Sequence, residues 1–201
     1  MFQTLRNAWK VTDIRKKILY TLFIILIFRV GSAIPVPFVD LVQLKTYASK
    51  DAGNTAMQLL TLMSGGGFSD ASVLALSITP YINASIIIQL LTVAIPALER
   101  MAQNGEEGRK KLGQITRYVT VILGLLLGVA YYFMVKNKYH AIVSYGSTGF
   151  AGFFCGAVIV LCFTAGSALM MWLGEQINER GIGNGISILL FAGILSRLPN
   201  G

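Results

Sequence analysis

Long runs of apolar residues alternate with polar segments along the chain. A helix rises about 1.5 Å per residue, so about 20 apolar residues cross the roughly 30 Å hydrocarbon core of a bilayer. The pattern predicts an all-α polytopic membrane protein with five transmembrane helices, at residues 18–34, 77–95, 115–135, 150–173 and 185–198. The last run is short and the sequence stops soon after it, which suggests a fragment or one piece of a split chain.

The residues before the first run have the pattern of a surface helix. Phe2, Leu5 and Trp9 recur at helical spacing, which predicts a short amphipathic segment within residues 1–17 that lies on the membrane. A frayed terminus is an equal alternative. A basic start followed by an apolar run is also similar to a cleavable signal peptide, but Arg29 interrupts the run and favours a retained first span.

The apolar stretch over residues 59–76 is interrupted by the sequence SGGG at 64–67. Three glycines in a row favour a turn over a continuous helix. Ser69 or Asp70 is placed to cap a short helix that runs to about Leu76, and such a helix is too short to cross a membrane. We therefore expect a re-entrant segment, which is tolerated only inside protein or beside a water-filled cavity.

Polar segments join the apolar runs. Pro35 and Pro37 hold the residues before them in extended conformations, so the first span is expected to end there. The pattern predicts outer loops at residues 38–58 and 136–149, and inner loops at residues 96–114 and 174–185.

Lysine and arginine are distributed unevenly between the two predicted sides. The inner segments hold eleven of them and the outer segments five, which places the N-terminus inside. Only 13% of the residues are charged and 54% are hydrophobic, whereas a soluble domain carries about 25% charge. The net charge of +8 is concentrated beside the spans and forms no continuous basic face, so direct nucleic-acid recognition is not expected.

The stretch SITPYINASIIIQLL, residues 77–91, combines an apolar span with polar side chains and a proline. Pro80 is expected to free a backbone carbonyl inside the span. Polar residues in membrane helices usually face other helices or a wet cavity, which applies here to Asn83, Ser85, Gln89 and Thr92. Two interpretations remain open: a polar clamp between helices of any bundle, or a helix that lines a conduit with the isoleucine stripe Ile78, Ile82 and Ile86 at its narrowest point.

The segment GEQINERGIGNG predicts a tight inner turn that closes with Asn184 at the start of the fifth helix. Its glycine spacing is not that of a nucleotide-binding loop. Glu175 and Glu179 are four residues apart, and a solvated loop is the preferred interpretation over a catalytic pair. Cys155 and Cys162 are expected to be free, and the sequence predicts no metal site, no cofactor and no enzymatic activity.

The motifs GSAIPVPF, SITPYINASIIIQLL and WLGEQINERGIGNGISILLFAGI together resemble the SecY family of protein-conducting channels. The resemblance covers the whole chain in order and corresponds to the first five of ten spans. It implies an N-terminal half, over residues 18–201, of a ten-helix pseudo-symmetric channel with an hourglass shape.

The resemblance also implies roles for individual residues. A short re-entrant helix, the plug segment (residues 64–76), is expected to close the channel with Ser64, Gly65, Gly66, Gly67, Phe68, Ser69, Asp70 and Leu74. A ring of apolar side chains at the constriction corresponds to Ile78, Ile82, Ile186 and Leu190. The lateral gate corresponds to Asn83, Gln89 and Thr92, and the turn before the pore-lining fifth helix to Gly183, Asn184 and Gly185.

The implied function is passage of unfolded secretory polypeptides across the bacterial plasma membrane and lateral release of signal or transmembrane segments into lipid. The implied partners are spans six to ten, SecE, SecG, the SecA motor ATPase or the ribosome, signal-bearing polypeptides and membrane lipids. The alternative is half of a secondary transporter with a broken helix. A transporter would more often place charged groups at the midplane of the membrane, and here Arg29 is the only charged residue well inside a span.

Overall fold

The computed structural model describes residues 11–50, 64, 66–67, 70–137, 141–142 and 149–195. Within these ranges the chain is built from helices joined by turns and short extended segments. The helices are α1 (Thr12–Ala33), α2 (Leu41–Lys50), α3 (Thr79–Ala94), α4 (Pro96–Gln103), α5 (Gly105–Asn137), α6 (Gly149–Arg180) and α7 (Gly185–Leu195). The fold is all-α, as predicted.

Helices occupy all five predicted spans but differ in whether they are long and apolar enough to cross a bilayer. In the described part of the chain, α5 and α6 are long and apolar enough to cross a membrane. α3 and α4 meet the same criterion together as one broken span, with a bend of 103° at the break. α7 is apolar but has only 11 residues, and α1 carries three basic residues near its start and Arg29 near its end. The number of five spans therefore stays a prediction.

Two helices continue past their apolar runs into segments predicted as inner loops. α5 begins at Gly105, ten residues before the predicted span, and α6 continues to Arg180, seven residues beyond its predicted end. α4 fills most of the rest of the first inner loop. The loop predictions over residues 96–114 and 174–180 are wrong because hydropathy marks the edge of the apolar layer. A helix continues beyond that edge wherever its residues favour helix.

The first predicted outer loop also contains a helix. α2 begins directly after Asp40, whose Oδ1 accepts hydrogen bonds from the backbone N–H groups of Val42 at 2.9 Å and Gln43 at 3.2 Å. The cap satisfies two amide groups that the first turn of a helix leaves unpaired. The prediction of a loop is therefore wrong for residues 41–50.

Prolines lie at the ends of helices. α1 ends at Ala33, two residues before Pro35, as predicted. α3 begins at Thr79, so Pro80 lies in its first turn. A backbone N–H in the first turn has no partner within the helix in any case, and proline is tolerated there. The expectation that Pro80 frees a carbonyl inside the span is wrong.

The plug segment is not helical where the structure describes it. A series of turns over residues 70–78 replaces the predicted helix. Ala71 and Ser77 have φ angles of 43° and 52°, whereas an α-helix requires φ near −63°. Asp70 does not cap a helix, because its carboxylate pairs with the Lys45 ammonium at 3.0 Å. Three predicted plug residues lie outside the described residues: Gly65, Phe68 and Ser69.

Helix α6 lies at the centre of the packing and contacts α1, α3, α5 and α7. Two buried apolar clusters form around it. The first cluster joins the predicted outer ends of α5 and α6 to the segments after α1, and Tyr131 packs edge-on against Phe163 within it at 4.7 Å between ring centroids. The second cluster contains Ile24, Phe28, Leu74, Ile78, Met170, Leu173, Ile177 and Leu189.

Candidate functional site

The four side chains predicted for the apolar ring lie together in or against the second cluster. Ile78 and Ile82 come from the start of α3, while Ile186 and Leu190 come from α7. Both helices reach α6 at Gly174, where an added Cβ would lie 3.4 Å from Ile78 Cδ1 and 4.0 Å from Ile186 Cγ1. The fold therefore brings two distant parts of the sequence into one apolar group.

The four ring candidates differ in exposure. Ile78 is only 1% exposed and is held inside the core. Ile82, Ile186 and Leu190 are half-buried, so each keeps part of its surface available. One turn further along α3, Ile86 is 50% exposed. The isoleucine stripe thus runs from the core to the open surface of the bundle.

The plug segment packs tightly against this group on the α6 side. Leu74 is buried in the same cluster as Ile78, and Ser64 is buried as well. At Gly166 of α6 the backbone of the segment comes so close that an added Cβ would lie 2.8 Å from the Val73 carbonyl carbon and overlap its oxygen. A residue with a side chain does not fit at this approach.

Packing of the plug segment is looser on the α5 side. A half-open cavity of about 220 Å³ lies between part of the segment and α5. Hydroxyl groups of the segment and of the start of α3 line one wall, and apolar α5 side chains line the other. The lining residues are Ser64, Ala75, Leu76, Ser77, Thr79, Leu127, Ala130, Tyr131 and Met134. The segment therefore contacts α5 through Ala71 and Ala75 but leaves a space beside the cavity-lining residues.

The predicted gate residues lie on the exposed side of α3. The buried positions of this helix are Pro80, Ala84 and Ile88, whereas Asn83 and Gln89 are exposed. The Gln89 amide donates to Ser85 Oγ at 3.4 Å, and Thr92 Oγ1 donates to the Gln89 carbonyl at 2.6 Å. These bonds stay on α3, so the polar residues are available to another helix.

The chain turns sharply between α6 and α7 at the glycine-rich residues. Gly183 has a φ of 72°, the left-handed conformation that favours glycine. Asn184 Oδ1 accepts a hydrogen bond from the Ile186 N–H at 3.0 Å, and Asn178 Oδ1 accepts one from the Gly185 N–H at 2.7 Å. The turn therefore fixes where α7 begins and where its ring candidates point.

Polar links between helices, at the predicted inner end of the bundle, were not expected from the sequence pattern. Arg117 Nε and Glu175 Oε1 are 2.9 Å apart and connect α5 to α6. The Glu175 side chain is 18% exposed, so its expected place in a solvated loop is wrong. The Tyr20 hydroxyl donates to Gln176 Oε1 at 3.0 Å and links α1 to α6. Arg117 lies two residues inside one predicted span and Glu175 two residues beyond the end of the next, and these opposite charges at similar predicted depth were the available signal for the ion pair.

The described residues offer little for catalysis or metal binding. Within them, no group of three His, Cys, Asp or Glu side chains is placed to hold a metal ion. Cys155 and Cys162 are free thiols on α6, as predicted. The site is an apolar group of side chains beside an uncharged polar surface.

Known proteins match the chain closely in sequence. A model of the SecY family matches residues 72–201. The protein translocase subunit SecY of Bacillus subtilis strain 168 is 42% identical over 99% of this chain and 44% of its own length. That of Streptomyces coelicolor is 42% identical over 100% of this chain and 47% of its own length. That of Escherichia coli K12 is 41% identical over 93% of this chain and 41% of its length. The chain thus spans less than half of these relatives.

A solved structure supports the fold independently. It is described as the structure of a protein conducting channel and matches with a TM-score of 0.62 at 18% sequence identity. The match covers 94% of this chain and 38% of the other chain. Together with the relatives above, the apolar helices identify a multi-pass membrane protein.

Proposed function

Since the chain belongs to the SecY family, we propose that it forms the N-terminal half of a protein-conducting channel. The channel passes unfolded secretory polypeptides across the plasma membrane and releases signal or transmembrane segments sideways into lipid. The observation that carries this proposal is the apolar group in which α3, α7 and the plug segment meet. Family membership and this constriction favour a conduit over half of a secondary transporter.

The ring acts as a seal because its side chains are apolar and partly exposed. Ile82, Ile186 and Leu190 contribute the half of the ring that belongs to this chain, and Ile78 supports them from the core. A narrow apolar constriction excludes water and ions when empty, and its side chains can close around a passing polypeptide. Leu74 rests against the same cluster, so the plug segment covers the ring from one side.

The exposed polar side of α3 is proposed as part of the lateral gate. Asn83 and Gln89 are exposed and Thr92 is half-buried, on the part of α3 where the second half would stand. Uncharged polar residues keep the closed gate only slightly more stable than the open one, so a signal sequence shifts the balance.

We expect Asn83→Leu and Gln89→Leu each to lower export of precursors with weakly hydrophobic signals by about threefold, and at most about tenfold. Leucine removes the need for a polar partner across the closed gate and so stabilises the closed state. Export rates of strong-signal and weak-signal precursors measure the effect. Leu90→Ile, which exchanges one exposed apolar side chain of α3 for another, is the control. Equal weak-signal export in all three variants contradicts the gate assignment.

The proposed assembly requires further chains. Spans six to ten complete the ring, SecE clamps the two halves, and SecG is an additional subunit. The SecA motor ATPase or the ribosome docks on the cytosolic side. The excess of lysine and arginine in the inner segments supports a cytosolic N-terminus.

A cross-link tests the channel directly. Ile82→Cys is introduced after Cys155 and Cys162 are replaced by alanine, and the chain is assembled with spans six to ten and SecE. A secretory precursor with a single cysteine is then stalled during export. We expect a disulfide that depends on the precursor, because Ile82 would contact the passing chain. Export without this disulfide would show that Ile82 is not part of the constriction.

A further inference from the structure

The turn between α6 and α7 is held from outside by a side chain of α1. Thr21 Oγ1 accepts a hydrogen bond from the Ile182 N–H at 3.2 Å and donates one to the Lys17 carbonyl at 2.9 Å. Thr21 is only 8% exposed, so water has little access to this group. One buried hydroxyl group therefore connects the backbone of α1 to the backbone of the turn.

The glycine at position 181 makes this contact possible. The Gly181 N–H donates to the Ile177 carbonyl at 2.8 Å and so continues the bonding of α6 up to the turn. A Cβ added to Gly181 would lie 2.7 Å from Thr21 Oγ1. A side chain at this position would push α1 away from the turn. The close approach of the two segments thus depends on a hydroxyl group on one side and on a missing side chain on the other.

The bond from α1 reaches the chain just before α7 begins. Ile182 lies three residues before Gly185, the first residue of α7. Two other hydrogen bonds, accepted by the side chains of Asn178 and Asn184, tie the start of α7 to the end of α6 and to the turn itself. These two bonds are local, whereas the bond from Thr21 fixes the turn relative to a third helix.

Helix α7 depends on such contacts because it is short. It has 11 residues and contacts α6 and α1. Two ring candidates, Ile186 and Leu190, lie in its first two turns and pack against the cluster that contains Ile24 and Phe28 of α1. A shift of the turn before α7 would therefore move both ring candidates relative to α1.

We propose that Thr21 is a positioning residue for the apolar ring: its bond to Ile182 sets where α7 stands, and so where Ile186 and Leu190 meet a passing polypeptide. The proposal rests on the proposed channel function and adds a residue outside the ring that determines how tightly the ring closes. A single hydrogen bond of this kind changes an equilibrium by about two- to twelvefold. Removal of the bond should therefore loosen the ring without unfolding the chain.

Cross-linking to a stalled secretory precursor measures the position of α7 separately from that of α3. Leu190→Cys reports on α7 and Ile82→Cys reports on α3. Each is the single cysteine of a chain in which Cys155 and Cys162 are replaced by alanine, and each chain is assembled with spans six to ten and SecE in vesicles. The readout is the yield of precursor disulfide at position 190 divided by the yield at position 82, together with the resting ion leak.

Thr21→Val keeps the shape of the side chain but removes the hydroxyl group. We expect it to lower the yield ratio and to raise the ion leak, each by at least about threefold. Thr21→Ser keeps the hydroxyl group and should restore both values. Tyr20→Phe is the control, because it removes a bond from α1 to Gln176, which lies in α6 before the turn. This control should leave both values nearly unchanged.

Equal yield ratios in Thr21→Val and Tyr20→Phe would overturn the positioning role, and so would a serine variant that behaves like the valine variant. If Thr21→Val does not assemble, as judged by gel filtration, Thr21→Ala takes its place. Failure of both to assemble would show that the bond supports the whole fold, which also overturns the proposal. If neither cysteine forms a precursor disulfide in the chain with Thr21 unchanged, the proposed channel function itself fails, and that result is independent of position 21.

Discussion

Gly166→Ala is expected to make the resting channel leak ions. The added Cβ would lie 2.8 Å from the Val73 carbonyl carbon and overlap its oxygen, and these backbone atoms cannot rotate away as the end of a side chain can. Displacement of Val73 would stretch its hydrogen bond to the Ile34 carbonyl and weaken the seat of the plug segment. Overpacking of this kind costs about 1–3 kcal/mol, which corresponds to a shift of about 5- to 150-fold toward the open state.

Ion conductance of vesicles that contain the assembled channel, without precursor, measures this leak. Gly113→Ala is the matched control, because no atom lies within 4 Å of the added Cβ at that helical glycine. Both assemblies are first compared by gel filtration. Equal leak from two properly assembled variants would contradict the proposal that the close contact between Gly166 and Val73 holds the plug segment in place.

Gly185→Ala is expected to destabilise the junction of α6 and α7. Its added Cβ would lie 2.9 Å from the Gly174 carbonyl carbon and 2.9 Å from Ile177 Cβ, and it would overlap the Gly174 oxygen. The helices must separate, which would stretch the bond from the Gly185 N–H to Asn178. We expect a loss of about 1–3 kcal/mol in stability and a fall in export, because Ile186 and Leu190 move with α7.

The opposite side of the same junction provides the control. At Gly174 the nearest atom to an added Cβ is Ile78 Cδ1 at 3.4 Å, an ordinary contact with a side chain. Gly174→Ala should therefore unfold at nearly the same denaturant concentration as the parent assembly, and Gly185→Ala at a lower one. Equal midpoints for the two variants would refute the close backbone approach at Gly185.

The features that the sequence predicted correctly depend on interactions between residues close together in the chain. The turn at residues 183–185 was predicted from a glycine followed by an asparagine; Gly183 acts through its left-handed conformation and Asn184 through a hydrogen bond to the nearby Ile186. The position at which α1 ends was likewise predicted from Pro35, which acts on the residues just before it. Helix ends outside the apolar layer, such as Gly105 of α5, were misplaced because hydropathy carries no information once the side chains are polar.

Other features depend on contacts that leave no pattern in side chains. The pairing of residues 34–36 with residues 71–73 uses backbone groups, which every residue except proline carries in full, and joins segments more than 30 positions apart. Nothing in residues 70–76 distinguishes a short helix from turns until those partners are present. The ring candidates were found through family resemblance, yet the burial of Ile78 depends on Gly174 and on neighbouring α1 and α6 side chains.

The links between α1 and α6 have a consequence for how the protein is made. The Tyr20 hydroxyl bonds to Gln176, 156 residues later, and Thr21 Oγ1 accepts from the Ile182 N–H, 161 residues later. Synthesis at about 5–20 residues per second therefore leaves α1 without these partners for roughly 8–30 s. During that interval the Tyr20 hydroxyl depends on water, lipid or another protein for a partner, whereas Thr21 Oγ1 still donates to the Lys17 carbonyl within α1.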